Sequence, residues 1–203
     1  MRGLLVTFEG IDRSGKTTQA RLLCEALGED ALGVREPGGT PAGELVRSLL
    51  KDPGVPLAPE TEALLFAAAR AQLVNDLIEP ALAAGRVVVS DRFLDSSLAY
   101  QGGARGLGIE EVQQVNRFAT RGLRPDLSFL LEISPRAAAE RAGESDRFED
   151  EGAALQQAVL EAYEGLVEAD PGRWRRIDAT RSPAEVHVEV LAEVEAARSG
   201  ARA

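Results

Sequence analysis

Eight consecutive residues near the start of the chain, Gly10-Ile11-Asp12-Arg13-Ser14-Gly15-Lys16-Thr17, constrain the fold more than any other feature. They match G-x-x-x-x-G-K-[ST], with a strand-like run (LLVTF) before them and a helical pattern (TTQARLLCEAL) after them. Glycines at such a turn let the backbone wrap an anion, so that successive N–H groups and the helix N-terminus converge on it. A lysine at position 16 then neutralises the outer phosphates of a nucleoside triphosphate, and a hydroxyl at position 17 helps to hold Mg2+. Lysine is scarce elsewhere: of 23 basic residues only Lys16 and Lys51 are lysines, which makes a compact ammonium group at this position informative.

The rest of the chain supplies the frame such a loop needs. Strand-like runs at 3–8, 33–36, 86–90, 126–132 and 174–178 alternate with helical patterns at 17–27, 41–51, 59–84, 109–121, 150–169 and 182–198. Several strands are unbroken apolar runs (VVVS, LSFLLEI), as expected where helices cover both faces of a sheet. The pattern predicts an α/β fold with a five-stranded parallel sheet covered by helices on both sides. At 203 residues, with no repeat or linker, the whole of 1–203 reads as one domain. The polar, aperiodic segment 142–152 (AGESDRFEDEG) reads as a short lid or a surface loop.

Composition removes several classes of function. A net charge of −10 argues against a nucleic-acid partner, which would require a basic face. The short apolar run before the loop is too short for a signal peptide or a spanning helix, so a cytoplasmic protein with no membrane partner is expected. Cys24 is the only cysteine, so neither a disulfide framework nor a cysteine metal site is available.

Asp91-Arg92 follow the run VVVS, at the carboxyl end of a strand, where the ligand crevice of an open α/β sheet lies. Asp91 suits Mg2+ held through water, and Arg92 suits bidentate contact with a second phosphate; a plain surface ion pair would read the same way. No D-x-x-G follows the second strand-like run, and the N-K-x-D base-reading signature of switch GTPases is missing. No histidine, cysteine or paired carboxylate reads as a catalytic base, and His187 falls in the C-terminal helical pattern. An acceptor that is already an anionic phosphate needs no base, since positioning and charge neutralisation carry the transfer. A nucleoside monophosphate is such an acceptor. Phe66 and Arg70 share one helix face at i and i+4, a spacing that fits a nucleobase site and equally a core aromatic beside a surface charge.

Five segments together carry a resemblance: FEGIDRSGKTTQ (8–19), REPGGT (35–40) followed by Arg47, LLFAAARAQ (64–72), DRFLDSSLAYQGGARG (91–106) and IDATRSP (177–183). In this order they resemble thymidylate kinase, a P-loop nucleoside monophosphate kinase. The resemblance implies phosphorylation of dTMP to dTDP with ATP and Mg2+, in dTTP biosynthesis, by a homodimer. The ATP phosphates would lie on Gly10, Ile11, Asp12, Arg13, Ser14, Gly15, Lys16, Thr17 and Thr18, with Mg2+ near Thr17 and Asp91. Arg47 and Arg92 would clamp the acceptor phosphate. Thymine would stack on Phe66, with Arg70 at its O4 edge and Ser97 and Gln101 nearby. Tyr100 would lie against the sugar and disfavour a 2′-hydroxyl, and Asp12 would lie near the 3′-hydroxyl. A cis peptide is implied at Glu36-Pro37, and adenine would lie between Arg141 and the loop 179–181 that carries Arg181. An arginine beside the transferring phosphoryl group comes from the loop in some members and from the lid in others; here Arg13 is expected to take that role and Arg147, in the lid, to be secondary. The alternatives are a kinase for another nucleoside monophosphate or a deoxynucleoside, and a nucleotide-binding regulatory module without turnover.

Overall fold

A computed structural model describes residues 2–141 and 152–200. Almost all of the segment read as a lid, with Arg147, lies outside the described residues. In chain order the elements are β1 (Leu5–Glu9), α1 (Lys16–Leu27), β2 (Ala31–Arg35), α2 (Pro41–Lys51), α3 (Pro59–Leu73), α4 (Glu79–Ala83), β3 (Val87–Asp91), α5 (Leu94–Ser97), α6 (Ile109–Ala119), β4 (Leu127–Glu132), α7 (Pro135–Ala139), α8 (Gly152–Ala169), β5 (Trp174–Asp178) and α9 (Pro183–Gly200). The five strands form one parallel sheet in the order β2-β3-β1-β4-β5. No helix among the described residues is long and apolar enough to cross a membrane.

Both sheet faces are buried, as the unbroken apolar runs predict. Val6, Phe8 and Val89 face a core shared with Tyr163, Trp174 and Val190. Leu5 and Val88, one residue out of phase, face a second core with Leu73, Ile78, Phe93 and Val112. Phe8 and Phe129, paired in register on adjacent strands, stack with ring centroids 5.3 Å apart. β1 therefore sits at the centre of the sheet, and the loop that follows it opens between β3 and β4.

Two differences from the sequence pattern have physical causes. The helix expected over 59–84 is interrupted by a wide, π-type turn at Val74–Ile78 before it resumes as α4. Pro80 lacks the N–H that would bond back to residue 76, and widening the preceding turn accommodates it. The second difference is a helical segment at 94–104 that periodicity missed, α5 continuing into another wide turn at Leu98–Ala104. Its Gly103 is pressed against α8, since a Cβ there would lie 2.5 Å from that of Ala162.

Candidate functional site

The loop after β1 has the backbone of an anion cradle. Gly10 and Gly15 take φ of 130° and 104°, and a Cβ on Gly10 would lie 2.8 Å from the Leu131 carbonyl oxygen. Arg13 holds a left-handed conformation, φ 61°, without being glycine. Lys16 is buried, and its Nζ donates to the Ile11 carbonyl at 2.6 Å and to Ser14 Oγ at 3.3 Å. Burial, then the positive charge of Arg92, pulls its pKa down to about 8 against the pull of Asp12, Asp91 and Glu9. The Thr17 hydroxyl donates to Asp91 Oδ2 at 2.5 Å, so the two oxygens expected to serve a metal lie side by side. One hydroxyl and one carboxylate form a hard-oxygen donor set that suits Mg2+, which keeps waters and takes phosphate oxygens for the rest. Among the described residues no three His, Cys, Asp or Glu side chains gather as a metal cage.

Arg92 is the centre of the acidic and basic cluster. It too is left-handed, φ 69°, and β1 holds it from both sides. The Arg92 amide donates to the Phe8 carbonyl at 3.0 Å, and the next amide, of Phe93, donates to Glu9 Oε1 at 2.9 Å. Its guanidinium donates to Asp12 Oδ1 at 2.5 Å, to the Gly10 carbonyl at 3.1 Å, to Ser96 Oγ at 3.0 Å and to the Tyr100 hydroxyl at 3.3 Å. Burial works to raise the pKa of Asp12, but Arg92 and Lys16 outweigh it and hold the carboxyl below its usual range. Burial raises the Tyr100 phenol, which donates to Asp12 Oδ2 at 3.2 Å and therefore stays protonated. Behind this cluster lies Glu9, fully buried, accepting from Ser96 Oγ at 2.6 Å and from the Tyr163 hydroxyl at 2.9 Å. Burial, then the nearby Asp95 carboxylate, raises its pKa to about 7.

A cavity of about 340 Å3 opens beside Arg92, and Asp12, Glu36, Pro37, Arg47, Phe66, Arg70, Ser97, Tyr100 and Gln101 all line it. Sequence spacing left Phe66 and Arg70 open to a bland reading, as a core aromatic and a surface charge. Phe66 is instead half-buried on the cavity wall, and Arg70 is 1% exposed. Each nitrogen of the Arg70 guanidinium is engaged: Nε donates to Glu36 Oε2 at 2.7 Å, Nη1 to Ser97 Oγ at 3.1 Å and to Asn116 Oδ1, and Nη2 to the Phe93 carbonyl at 3.2 Å. Its charge thus lies at the cavity wall beside Ser97. Burial raises the Glu36 carboxyl, with Arg70 opposing. The Glu36-Pro37 bond is cis, and the Pro37 carbonyl accepts from Arg47 Nη1 at 2.9 Å. Gln101 Nε2 donates to Glu62 Oε1 at 2.9 Å.

A second cavity, of about 410 Å3, runs along the other side of the loop and is lined by residues 13–19 with Leu131, Arg141, Ala179, Arg181, Pro183 and Val186. Arg141 Nη1 donates to the carbonyls of Arg13 at 3.0 Å and Ser14 at 3.1 Å, and Nη2 to that of Ala179. Arg13 Nη1 returns a bond to the Arg141 carbonyl at 3.4 Å. Arg181 pairs with Glu189. Lys16 and Thr17 line both cavities. Arg147 lies outside the described residues.

Residues built into the site that had no role in the sequence reading include Glu9, Glu62, Ser96, Asn116 and Gln156. Glu62 had a signal, since it precedes Phe66 by four residues and Arg70 by eight on the same helix face. Gln156 had none, because it meets Asp12 across 144 residues of chain.

Comparison with known proteins agrees with this geometry. The sequence model of the thymidylate kinase family matches residues 8–190. A thymidylate kinase of Caldanaerobacter subterraneus subsp. tengcongensis is 47% identical over 207 residues, covering 100% of both chains. One of Thermoanaerobacter sp. (strain X514) is 46% identical over 94% of this chain and 97% of its own. One of Chlorobium chlorochromatii is 42% identical over 95% of this chain and 94% of its own.

Proposed function

The chain belongs to the thymidylate kinase family, and from that premise we propose that it transfers the terminal phosphoryl group of ATP to dTMP, forming dTDP and ADP on the route to dTTP. The observation that carries this reading is that Lys16 and Thr17 stand between two cavities, one along the phosphate loop and one walled by Phe66, Ser97 and Gln101. A phosphoryl donor in the first and an acceptor in the second would meet at these side chains.

In this reading the loop amides from Gly10 to Thr18 and the Lys16 ammonium hold the triphosphate, and Arg141 and Arg181 flank adenine. Thr17 and Asp91 hold Mg2+, which neutralises charge on the phosphates when bound. Arg47 and Arg92 orient the acceptor phosphate. One of its oxygens forms the new bond to the γ-phosphorus as the bond to the β–γ bridging oxygen breaks, and ADP leaves with that electron pair. The attacking oxygen is already ionised, so no base is required. Arg92 is fixed before any ligand arrives by Asp12, Ser96 and Tyr100, which lowers the cost of ordering it during transfer. Arg13 stabilises charge on the moving phosphoryl group, with Arg147 secondary. Thymine stacks on Phe66, Tyr100 packs against the deoxyribose, and Asp12 meets the 3′-hydroxyl.

The 203 residues work as one P-loop kinase domain with a lid at about 142–152, in the cytoplasm, on small molecules rather than nucleic acid or membrane. The active form is a homodimer. Leu45 on α2, Leu64 on α3 and Phe118 on α6 are exposed, and α3 packs against both neighbours, so a second copy has an apolar surface to cover. A coupled ADP-release assay offering dTMP, dUMP, UMP, CMP and AMP in turn tests the reading. A strong preference for dTMP is expected, and preferred turnover of another monophosphate would sink the assignment.

A further inference from the structure

We infer that Glu62 determines which bases the pocket accepts, by compelling the Gln101 amide to present its carbonyl oxygen to the ligand. The inference rests on reading the cavity of Phe66 and Arg70 as the site of the acceptor's base.

Glu62 is 2% exposed and lies on α3 one turn before Phe66. Arg105 pairs with it, Nε reaching Oε1 and Nη2 reaching Oε2, each at 3.3 Å. A carboxylate paired in this way only accepts hydrogen bonds. Gln101 Nε2 donates to Glu62 Oε1 at 2.9 Å, and turning the amide over would set oxygen against oxygen in a buried place. The Nε2 end is thereby committed to the protein. The Oε1 end is the part of Gln101 left for a ligand in the cavity that this residue lines.

One helical turn earlier Ser97 can offer the opposite polarity. Its Oγ accepts from Arg70 Nη1 at 3.1 Å, and an arginine has no acceptor to offer in return. The serine proton is therefore not drawn to Arg70 and is available to the ligand, beside the one acceptor lone pair the hydroxyl keeps. The wall offers a donor at Ser97 and an acceptor at Gln101, an arrangement complementary to the carbonyl and adjoining N–H of an imide such as thymine or uracil. Cytosine carries an amine and a bare ring nitrogen at these places: Ser97 can still accept from the amine, but the ring nitrogen sets a lone pair against the Gln101 oxygen, so the discrimination falls on Gln101. Selection against it is thus set in part by a charge on α3 that need not touch the base.

The test compares kcat/KM for dTMP and dCMP in the wild type, Glu62→Gln, Gln101→Leu and the double variant. The dTMP-to-dCMP ratio is expected to fall about tenfold in Glu62→Gln, the worth of one hydrogen bond. Adding Glu62→Gln to Gln101→Leu should leave the ratio where Gln101→Leu puts it, because both changes remove the same discrimination. Both constants come from one preparation, so a partly folded variant still gives a valid ratio. If Glu62→Gln does not accumulate, Glu62→Asp withdraws the carboxylate from Gln101 and carries the same expectation. An unchanged ratio in the single variant, or a further fall in the double, overturns the role of Glu62 while leaving the pocket standing. A wild type that does not favour dTMP over dCMP overturns the reading of the pocket itself.

Discussion

Gln156 and Asp12 hold each other by two hydrogen bonds: the Asp12 amide donates to Gln156 Oε1 at 3.3 Å, and Gln156 Nε2 donates to Asp12 Oδ2 at 3.0 Å. One residue belongs to the phosphate loop and the other lies near the start of α8, so the chain that returns from 142–151 is fastened to the loop. Gln156→Leu removes both bonds but leaves Arg92 and Tyr100 on Asp12. Its kcat/KM for dTMP should fall about tenfold, the worth of a hydrogen bond to a charged group. Steady-state kinetics with each substrate varied would check this, and an effect confined to the KM for ATP would refute it.

Arg13 can be removed without straining the loop. Its φ of 61° suits glycine, so Arg13→Gly deletes the guanidinium and relaxes the backbone together. The single-turnover rate is expected to drop about 100- to 1000-fold, the scale of losing a donor aimed at developing charge. Arg147→Ala should cost less. Quenched-flow measurement of both variants decides the order, and a larger loss for Arg147 would reverse it. If Arg13 only screens the bound triphosphate, the KM for ATP will rise and kcat will hold.

The Arg70–Glu36 pair should be costly to break. Its nitrogen and oxygen are 2.5 Å apart with both side chains at most 3% exposed. Arg70→Met leaves a carboxylate buried without its cation and should cost about 3–5 kcal/mol in urea unfolding. Arg70→Lys should not restore it, because an ammonium cannot reach Glu36, Ser97 and the Phe93 carbonyl together. Adding Glu36→Gln to Arg70→Met should recover part of the loss.

Much of this was legible in the sequence. The glycine-rich loop and the five parallel strands follow from a short motif and from apolar runs, because local geometry dictates both, whereas Arg47 came in only through the family resemblance. Glu9 was not legible. In the sequence it ends an apolar strand, and only the packing of α5 and α8 over it reveals a fully buried carboxyl group with three donors. The helix at 94–104 escaped because its wide turn breaks the 3.6-residue period, and serines at 96 and 97 favour turns when read alone. Arg70 lines the first cavity, but its partners come from segments whose proximity only the fold supplies.

The buried Glu9 predicts a pH dependence of stability in the ligand-free protein. Its pKa is ordinarily 4.5 and rises to about 7 in the fold, so between these values the folded chain keeps a proton that the unfolded chain has lost. The stability this contributes is complete below the unfolded value and is lost as pH rises through about 7, by on the order of 1–3 kcal/mol. Lys16, depressed from 10.5 to about 8, acts in the opposite sense and adds stability as pH climbs from about 8 towards 10.5. Urea titrations from about pH 5 to pH 8 should show the first slope in the wild type and a flatter one in Glu9→Gln. Equal slopes would remove Glu9 as its source.

The proposed dimer face is tested by Leu64→Glu, which places a charge on an exposed apolar position of α3. Sedimentation should give a dimer for the wild type and a monomer for the variant. A variant that stays dimeric would move the interface off this face.

The wall shared by the two cavities has a consequence for inhibition. Because Lys16 and Thr17 line both, a single molecule that joins a thymidine-like head to an adenosine-like head through a short polyanionic tether would, on the proposed reading, run past those two side chains. Once one head docks, the other is held close to its own cavity, so the tether length becomes the variable that governs potency. Compounds of this kind would report the span between the two heads directly, as the tether length at which binding is tightest.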